Sequence, residues 1–165
     1  MKKYILVAIY MATLTFTACG RQTGKVLVSD RIKAAGNYYL NDINSRAVRD
    51  FVGRHTDASD VEWYKINQGY IVKFFQNGDK CQSTYRGNGN WIYTIRYYHE
   101  KQMPRDVRAT VKRVYYDFAI IQVEEIKHVN SPLVYIVHMK DSTSWCNVRV
   151  CDGEMDVLES FSRRK

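Results

Sequence analysis

Between Val61 and Phe161 the chain alternates short β-branched and aromatic runs with turn residues, and this punctuation constrains its fold more than any other feature. Val61 to Ile66, Tyr70 to Phe75, Lys80 to Tyr85 and Trp91 to Tyr98 are parted by Asn67-Gln68-Gly69, Asn77-Gly78-Asp79 and Gly87-Asn88-Gly89-Asn90. Turn residues at this spacing close antiparallel hairpins. Ahead of them Val48, Phe51, Val52 and His55 recur at helical spacing, with Asn44 or Ser45 placed to cap the helix. The reading is one helix followed by four antiparallel strands.

The same order begins again after Met103. Pro104 suits the first position of a helix, where its missing N–H costs nothing. Val107, Val111, Val114, Tyr115 and Phe118 form the apolar stripe, and Arg105, Arg108 and Lys112 share a solvated face. Strands are expected at Ile121 to Ile126, Leu133 to Met139, Ser144 to Val150 and Met155 to Phe161, with a turn at Asp152-Gly153. Val48 then corresponds to Val107, Val52 to Val111, and Val61-x-Trp63-x-x-Ile66 to Ile121-x-Val123-x-x-Ile126. Tyr70-Ile71-Val72 corresponds to Tyr135-Ile136-Val137, and Cys81 to Cys146. Spacings that lengthen only in turns are what a duplicated unit produces. The expected organisation is α+β, with unit one over residues 45–99 and unit two over 103–161, together a domain of 45–161 followed by a basic tail at 162–165.

The N-terminus is of another kind. Lys2 and Lys3 precede an uncharged run from Tyr4 to Phe16, which as helix spans ~20 Å, short of a ~30 Å hydrocarbon core. Residues 1–18 therefore read as a signal peptide. The run ends in Phe16-Thr17-Ala18-Cys19-Gly20, which resembles the bacterial lipobox, with Phe16 where Leu is usual. Cys19 is the expected lipid attachment site, and the alternative is a plain secretory signal with an incidental cysteine. Residues 19–44 form a largely polar N-terminal linker whose clusters Val26-Leu27-Val28 and Tyr38-Tyr39-Leu40 suggest that part of it packs. No acidic cluster follows Cys19, which favours an exported, lipid-anchored protein of the cell envelope facing the periplasm.

Charge and composition narrow the partners. A formal charge of +8 without an interior Lys/Arg tract indicates a solvated surface, and an exported chain is not expected to meet nucleic acid. Membrane contact is expected through the N-terminal lipid. His55, His99, His128 and His138 are scattered without metal-ligand spacing, and no G-x-S-x-G, P-loop or HExxH motif occurs. Ser142, Ser144 and Asp141 lie near His138 only as turn neighbours. No enzyme, metal or cofactor is expected. Cys81 and Cys146, on equivalent strands, are either a disulfide pair or two buried free thiols, and Cys151 falls on the opposite face from Cys146.

Period-two alternation divides the strands between two faces. It places Trp91, Tyr93, Ile95 and Tyr97 beneath the helices, together with Tyr70, Val72, Phe74, Tyr135, Val137 and Met139. Left on the open face are Lys73, Phe75, Thr84, Arg86, Arg96, Tyr98, His138, Trp145 and Arg149. Aromatic residues and Arg are enriched where interfaces hold their energy, so Lys73, Phe75, Arg86, Arg96, Tyr98, His138, Trp145 and Arg149 form a candidate binding face. The competing reading is a set of ordinary cross-strand pairs.

These motifs in this order (Val48-x-x-Phe51, Val61-x-Trp63, Tyr70-x-Val72-x-Phe74, Gly87-Asn88-Gly89-Asn90-Trp91, Met103-Pro104, Tyr135-x-Val137, Asp152-Gly153) resemble the PepSY-like family of exported bacterial proteins, which share the fold of the β-lactamase-inhibitor protein. The resemblance implies an eight-stranded antiparallel sheet with two helices on one face. It implies no established activity. The expected function is non-catalytic binding of a protein or peptide by the open face, and the alternative that the resemblance suggests is inhibition of an exported hydrolase such as a protease or β-lactamase.

Overall fold

The computed structural model describes residues 32–34 and 42–162. The signal peptide, Cys19, most of the linker and the last three residues lie outside that range. Helix α1 (Ser45–Arg54) precedes strands β2 (Ser59–Ile66), β3 (Gly69–Gln76), β4 (Asp79–Arg86) and β5 (Trp91–Tyr98). Helix α2 (Arg105–Val114) precedes β6 (Ala119–His128), β7 (Val134–Lys140), β8 (Ser144–Cys151) and β9 (Glu154–Ser162). These eight strands pair antiparallel in chain order in one sheet. A short strand β1 (Ile32–Ala34), inside the stretch read as linker, adds in parallel to the outer edge of β2, with Ile32 opposite Val61 and Ala34 opposite Trp63.

Local chemistry explains the hairpins and helix starts. Asn77-Gly78 and Asp152-Gly153 both carry positive φ at their two residues, 53° and 84° in the first and 50° and 81° in the second. That conformation matches the right-handed twist of paired strands. The Asn44 side chain accepts the Arg46 N–H at 2.9 Å, capping α1, and its Nδ2 donates to the Gly87 carbonyl at 3.1 Å. Gly89, at φ +83°, lies directly beneath: a Cβ there would sit 2.9 Å from Arg46 Cβ. The helix can therefore seat on the β4–β5 turn only because that residue is glycine. In α2, Pro104 is the residue before the first helical one, one position earlier than its sequence suggests.

Both helices cover the same face. Beneath α1, Phe51 meets Trp63 and Phe74 edge-on at 5.5 and 5.0 Å, with Ala47, Val61, Val72 and Tyr85 around them. Beneath α2, Val107 and Val111 pack with Val123, Val137, Met139 and Val148. Between these cores the covered face is polar. Asp79, on β4, receives Arg96 and Gln102, while Ser83 and Thr94 share a 2.6 Å hydrogen bond.

Strand β5 departs from simple alternation. Thr84 pairs with Tyr93 but Tyr85 pairs with Trp91, so Ile92 is an extra residue, a β-bulge. Trp91 keeps to the helix side, and after the bulge every side chain changes face. Tyr93, Ile95 and Tyr97 therefore lie on the open face and not in the core. Arg96 and Tyr98, expected on the open face, lie under the helices: Arg96 pairs with Cys81, and Tyr98, 4% exposed, pairs with Val123.

Candidate functional site

The uncovered face is where the sheet has side chains to spare. Among the described residues nothing packs over its centre, where Ile71 of β3, Tyr93, Ile95 and Tyr97 of β5, Ile126 of β6 and Ile136 of β7 stand half-buried by one another. Half burial of a row of large apolar groups in a sheet centre leaves surface that a partner can still remove from water.

At the β2–β6 side this face dips into a depression of about 530 Å³, with Lys73, Phe75, Lys80, Gln82, Tyr97 and Gln122 in its lining. Strand pleat builds it: Phe75 pairs with Lys80, and Lys80 with Tyr97, so the three stand side by side across β3, β4 and β5. The Lys73 ammonium lies 5.0 Å from the Tyr64 ring centre, and Tyr64 Oη donates to Glu62 at 2.7 Å. Burial, then the nearby Glu124 carboxylate, push the Tyr97 phenol above its ordinary value, so it stays a neutral donor. Its lining mixes aromatic and charged groups: Lys80 stands between Phe75 and Tyr97, and Lys73 pairs with Glu62, with Asp60 on the same strand. Such a surface can take an apolar side chain flanked by a carboxylate.

Further along the same face, strands β6 to β9 each give one residue to a polar row. His138 Nε2 lies 3.1 Å from Glu124 and its Nδ1 2.8 Å from Asn147 Oδ1, while Asn147 Nδ2 donates to Glu159 at 3.1 Å. Trp145, 54% exposed, sits opposite Phe161, 61% exposed, with the Lys140 ammonium 5.2 Å from the Trp145 ring. Arg149 pairs with Asp156 at 3.1 Å. Of the candidate residues, Lys73, Phe75, His138, Trp145 and Arg149 thus occupy the open face but spread along it; only Lys73 and Phe75 share the depression. Arg96 and Tyr98 belong to the opposite face. The sequence reading missed Tyr93, Ile95 and Tyr97, because nothing in the run Trp91 to Tyr98 marks the bulge.

Arg86 instead borders a second cleft, of about 540 Å³, at the end of the sheet beside α1, with Arg46, Arg54, Trp91 and His128. Arg54 stacks over Trp91 at 4.3 Å and holds Asp50 at 2.6 Å. Its charge is thereby committed within the chain.

Among the described residues, one arrangement with a catalytic outline is closed. Ser83 Oγ lies 3.3 Å from His55 Nε2, and His55 Nδ1 lies 2.9 Å from Gln76 Oε1. Trp91 Nε1 donates to Thr94, which shares its hydroxyl with Ser83. Ser83 is 0% exposed, so no substrate reaches it, and the chain of hydrogen bonds satisfies polar groups under α1. Cys81 and Cys146 are both buried free thiols. They stand four strands apart in the sheet, ~19 Å at the usual strand spacing, which excludes the disulfide between them. No three His, Cys, Asp or Glu side chains among the described residues converge as a metal site.

No family model and no curated protein matches the chain. Solved structures do. A BLIP-like protein of Bacteroides fragilis superposes with a TM-score of 0.62 at 14% identity, over 76% of this chain and 89% of that one. A DUF2874 family protein of Bacteroides uniformis gives 0.60 at 11% identity, over 72% and 88%. A Bacteroides eggerthii protein assigned provisionally to the periplasm gives 0.60 at 12%, over 73% and 88%. At these identities the likeness establishes a shared architecture, the BLIP-like fold.

Proposed function

We propose that this chain is an exported, PepSY-like binding protein of the cell envelope, held by a lipid on Cys19, that captures a protein or peptide on the open face of its sheet without chemistry. The observation that carries the reading is the depression lined by Phe75, Tyr97, Lys73 and Lys80, on a face that no described element covers. The partner it suits presents an apolar side chain beside an acidic one. An envelope location is supported by the N-terminal signal in the sequence and by the neighbour assigned provisionally to the periplasm. Among the described residues no helix is long and apolar enough to cross a membrane.

The test is site-specific photo-crosslinking in intact cells. A photoreactive phenylalanine analogue at Phe75 or Tyr97 should yield a discrete adduct that the same group at Tyr116, 79% exposed beyond α2, does not. Identical patterns at all three positions would sink the reading. A second reading, inhibition of an exported hydrolase, draws on the BLIP-like neighbour. Titration of the protein into exported proteases and β-lactamases, with no loss of activity in any, would remove it.

A further inference from the structure

The open-face depression and the cleft beside α1 share no residue and lie at opposite ends of β4, where Lys80 lines the first and Arg86 the second. The cleft gathers cations. Arg46 and Arg54 stand on one face of α1 with Asp50 between them, each four residues from the next, and Arg86 joins them from the end of β4. Three guanidinium charges against one carboxylate leave an excess of two. That carboxylate is already engaged, since Asp50 holds Arg54 at 2.6 Å and accepts from Tyr85 Oη at 3.2 Å. Arg46 and Arg86 are exposed, and among the described residues neither has an acidic partner. The nearby turns, Asn67-Gln68, Gly87-Asn88-Gly89-Asn90 and Val129-Asn130-Ser131-Pro132, contain no acidic residue to supply one.

Folding does not call for these residues. Arg46 stands in the first turn of α1, which has no acidic residue and where the helix dipole disfavours a cation. In α2 the first turn balances Arg105 with Asp106. At the spacing that matches Cys81 with Cys146, Arg86 corresponds to Cys151, while Trp91, opposite Tyr85, corresponds to Met155, opposite Val150. The second unit thus closes the equivalent hairpin without a cation or an aromatic ring at these positions. The apolar part of the cleft is Trp91, Ile92 and Val129, the last 50% exposed. Ile92 is the bulged residue of β5, and bulges are frequent where a strand re-aims a side chain beside a site.

We propose that this cleft binds a phosphate monoester, with Arg46 and Arg86 on the phosphoryl oxygens and the organic group against Ile92 and Val129. Guanidinium forks match phosphate oxygens in shape as well as charge. A monoester carries close to two negative charges at neutral pH, which meets the excess of two, whereas a single carboxylate leaves one cation unmatched. The volume of about 540 Å³ suits a small molecule. Arg54, held by Asp50 and stacked over Trp91 at 4.3 Å, positions the ring and does not bind the anion. The same chemistry is offered by a soluble ester and by a lipid head group. The site is separate from the open face, so it stands or falls independently of partner capture there.

The test uses the full exported chain carrying Cys19→Ser, so that no attached lipid enters the measurement. Titration with phenyl phosphate, followed by backbone amide NMR, should give saturable shifts confined to Arg46, the stretch Arg86 to Ile92, and His128 to Ser131. Arg46→Gln with Arg86→Gln should weaken binding at least about tenfold. Lys101→Gln with Arg113→Gln, an equal loss of charge elsewhere on the surface, should leave it unchanged. Benzoate, the same ring with one charge, should bind at least about tenfold more weakly than phenyl phosphate. Unchanged circular dichroism and melting temperature verify that both variants fold. Co-sedimentation with phosphatidylcholine vesicles that contain phosphatidate, lost in the Arg46 and Arg86 variant, supports the site with a head group as its ligand. Binding of phenyl phosphate without vesicle capture supports it with a soluble ester. Shifts that do not saturate overturn the proposal. So do equal losses in the two variants, or benzoate that binds as tightly as phenyl phosphate.

Discussion

Arg96 on β5 reaches back to Asp79 at the start of β4 with two nitrogens on one carboxylate oxygen, Nε at 2.9 Å and Nη2 at 2.7 Å. Asp79 is nearly enclosed, its side chain 8% exposed, and its other oxygen accepts from Gln102 at 2.7 Å. The pair fixes the seam between the core under α1 and the core under α2. Arg96→Ala leaves that carboxylate enclosed with Gln102 as its remaining side-chain partner. Because Arg96 is itself 38% exposed, the expected loss is about 2 kcal/mol, below the ~3–5 kcal/mol of a fully buried pair. Arg149→Ala, whose partner Asp156 is 64% exposed, should cost no more than ~0.5 kcal/mol. Urea denaturation of both variants checks the contrast; equal effects would mean that the seam is not held by this pair.

His55 makes stability depend on pH in a stated direction. Burial under α1 lowers its pKa from the ordinary 6.5, outweighing the hydrogen bond to Gln76. The folded state therefore disfavours the proton that the unfolded chain accepts. The contribution of the neutral ring is complete above the unfolded value and is lost as pH falls from there toward the lower folded value. His55→Gln keeps a polar group while removing the titration. The difference in melting temperature between the parent and this variant should thus narrow as pH drops from 7.5 to ~5. A difference that stays constant would show that His55 does not titrate with folding.

Much of this architecture can be read in the residues, and the places where it cannot are physical. Asn77-Gly78 and Asp152-Gly153 announce their turns because few other pairs take positive φ twice. Tyr70, Val72 and Phe74, and likewise Tyr135, Val137 and Met139, occupy the covered face because β3 and β7 keep strict alternation through them. In β5 one unmarked extra residue, Ile92, reverses the parity of all that follows, and so it exchanges Arg96 and Tyr98 with Ile95 and Tyr97. Strand β1 escapes for a different reason. Ile32–Ala34 has no pattern of its own and becomes a strand only because the edge Val61–Trp63 offers it partners. The site inherits the first limit: Lys73 and Phe75 are legible, while Tyr97, across Lys80 from Phe75, needs the register.

The thiols should differ sharply in reactivity. Burial pushes the Cys81 thiol up to about 11, leaving on the order of one part in a thousand as thiolate at pH 8. Cys146 is 3% exposed, whereas Cys151 is partly open at the end of β8. In a Cys19→Ser chain, Ellman's reagent should modify one thiol quickly in the native state and three in denaturant, and Cys151→Ser should abolish the fast phase. Rapid native labelling of Cys81 would contradict the packing under α1.

Glycine substitutions separate close packing from backbone conformation. A Cβ on Gly69, where β3 begins opposite Arg86, would lie 1.9 Å from the Tyr85 carbonyl oxygen, so β3 and β4 would have to part. Gly69→Ala should therefore cost at least ~3 kcal/mol, the scale of severe overpacking. Gly78 has open space but a φ of +84°; alanine there carries only the left-handed penalty of ~1–2 kcal/mol. Gly53 lies within α1 with nothing inside 4 Å of its added carbon, and Gly53→Ala should stabilise by ~0.5–1 kcal/mol through lower unfolded-state entropy. Melting temperatures should then rank Gly53→Ala above the parent, the parent above Gly78→Ala, and Gly69→Ala last. Finding Gly69→Ala as stable as Gly78→Ala would mean that the close approach of β3 to Tyr85 is not maintained in solution.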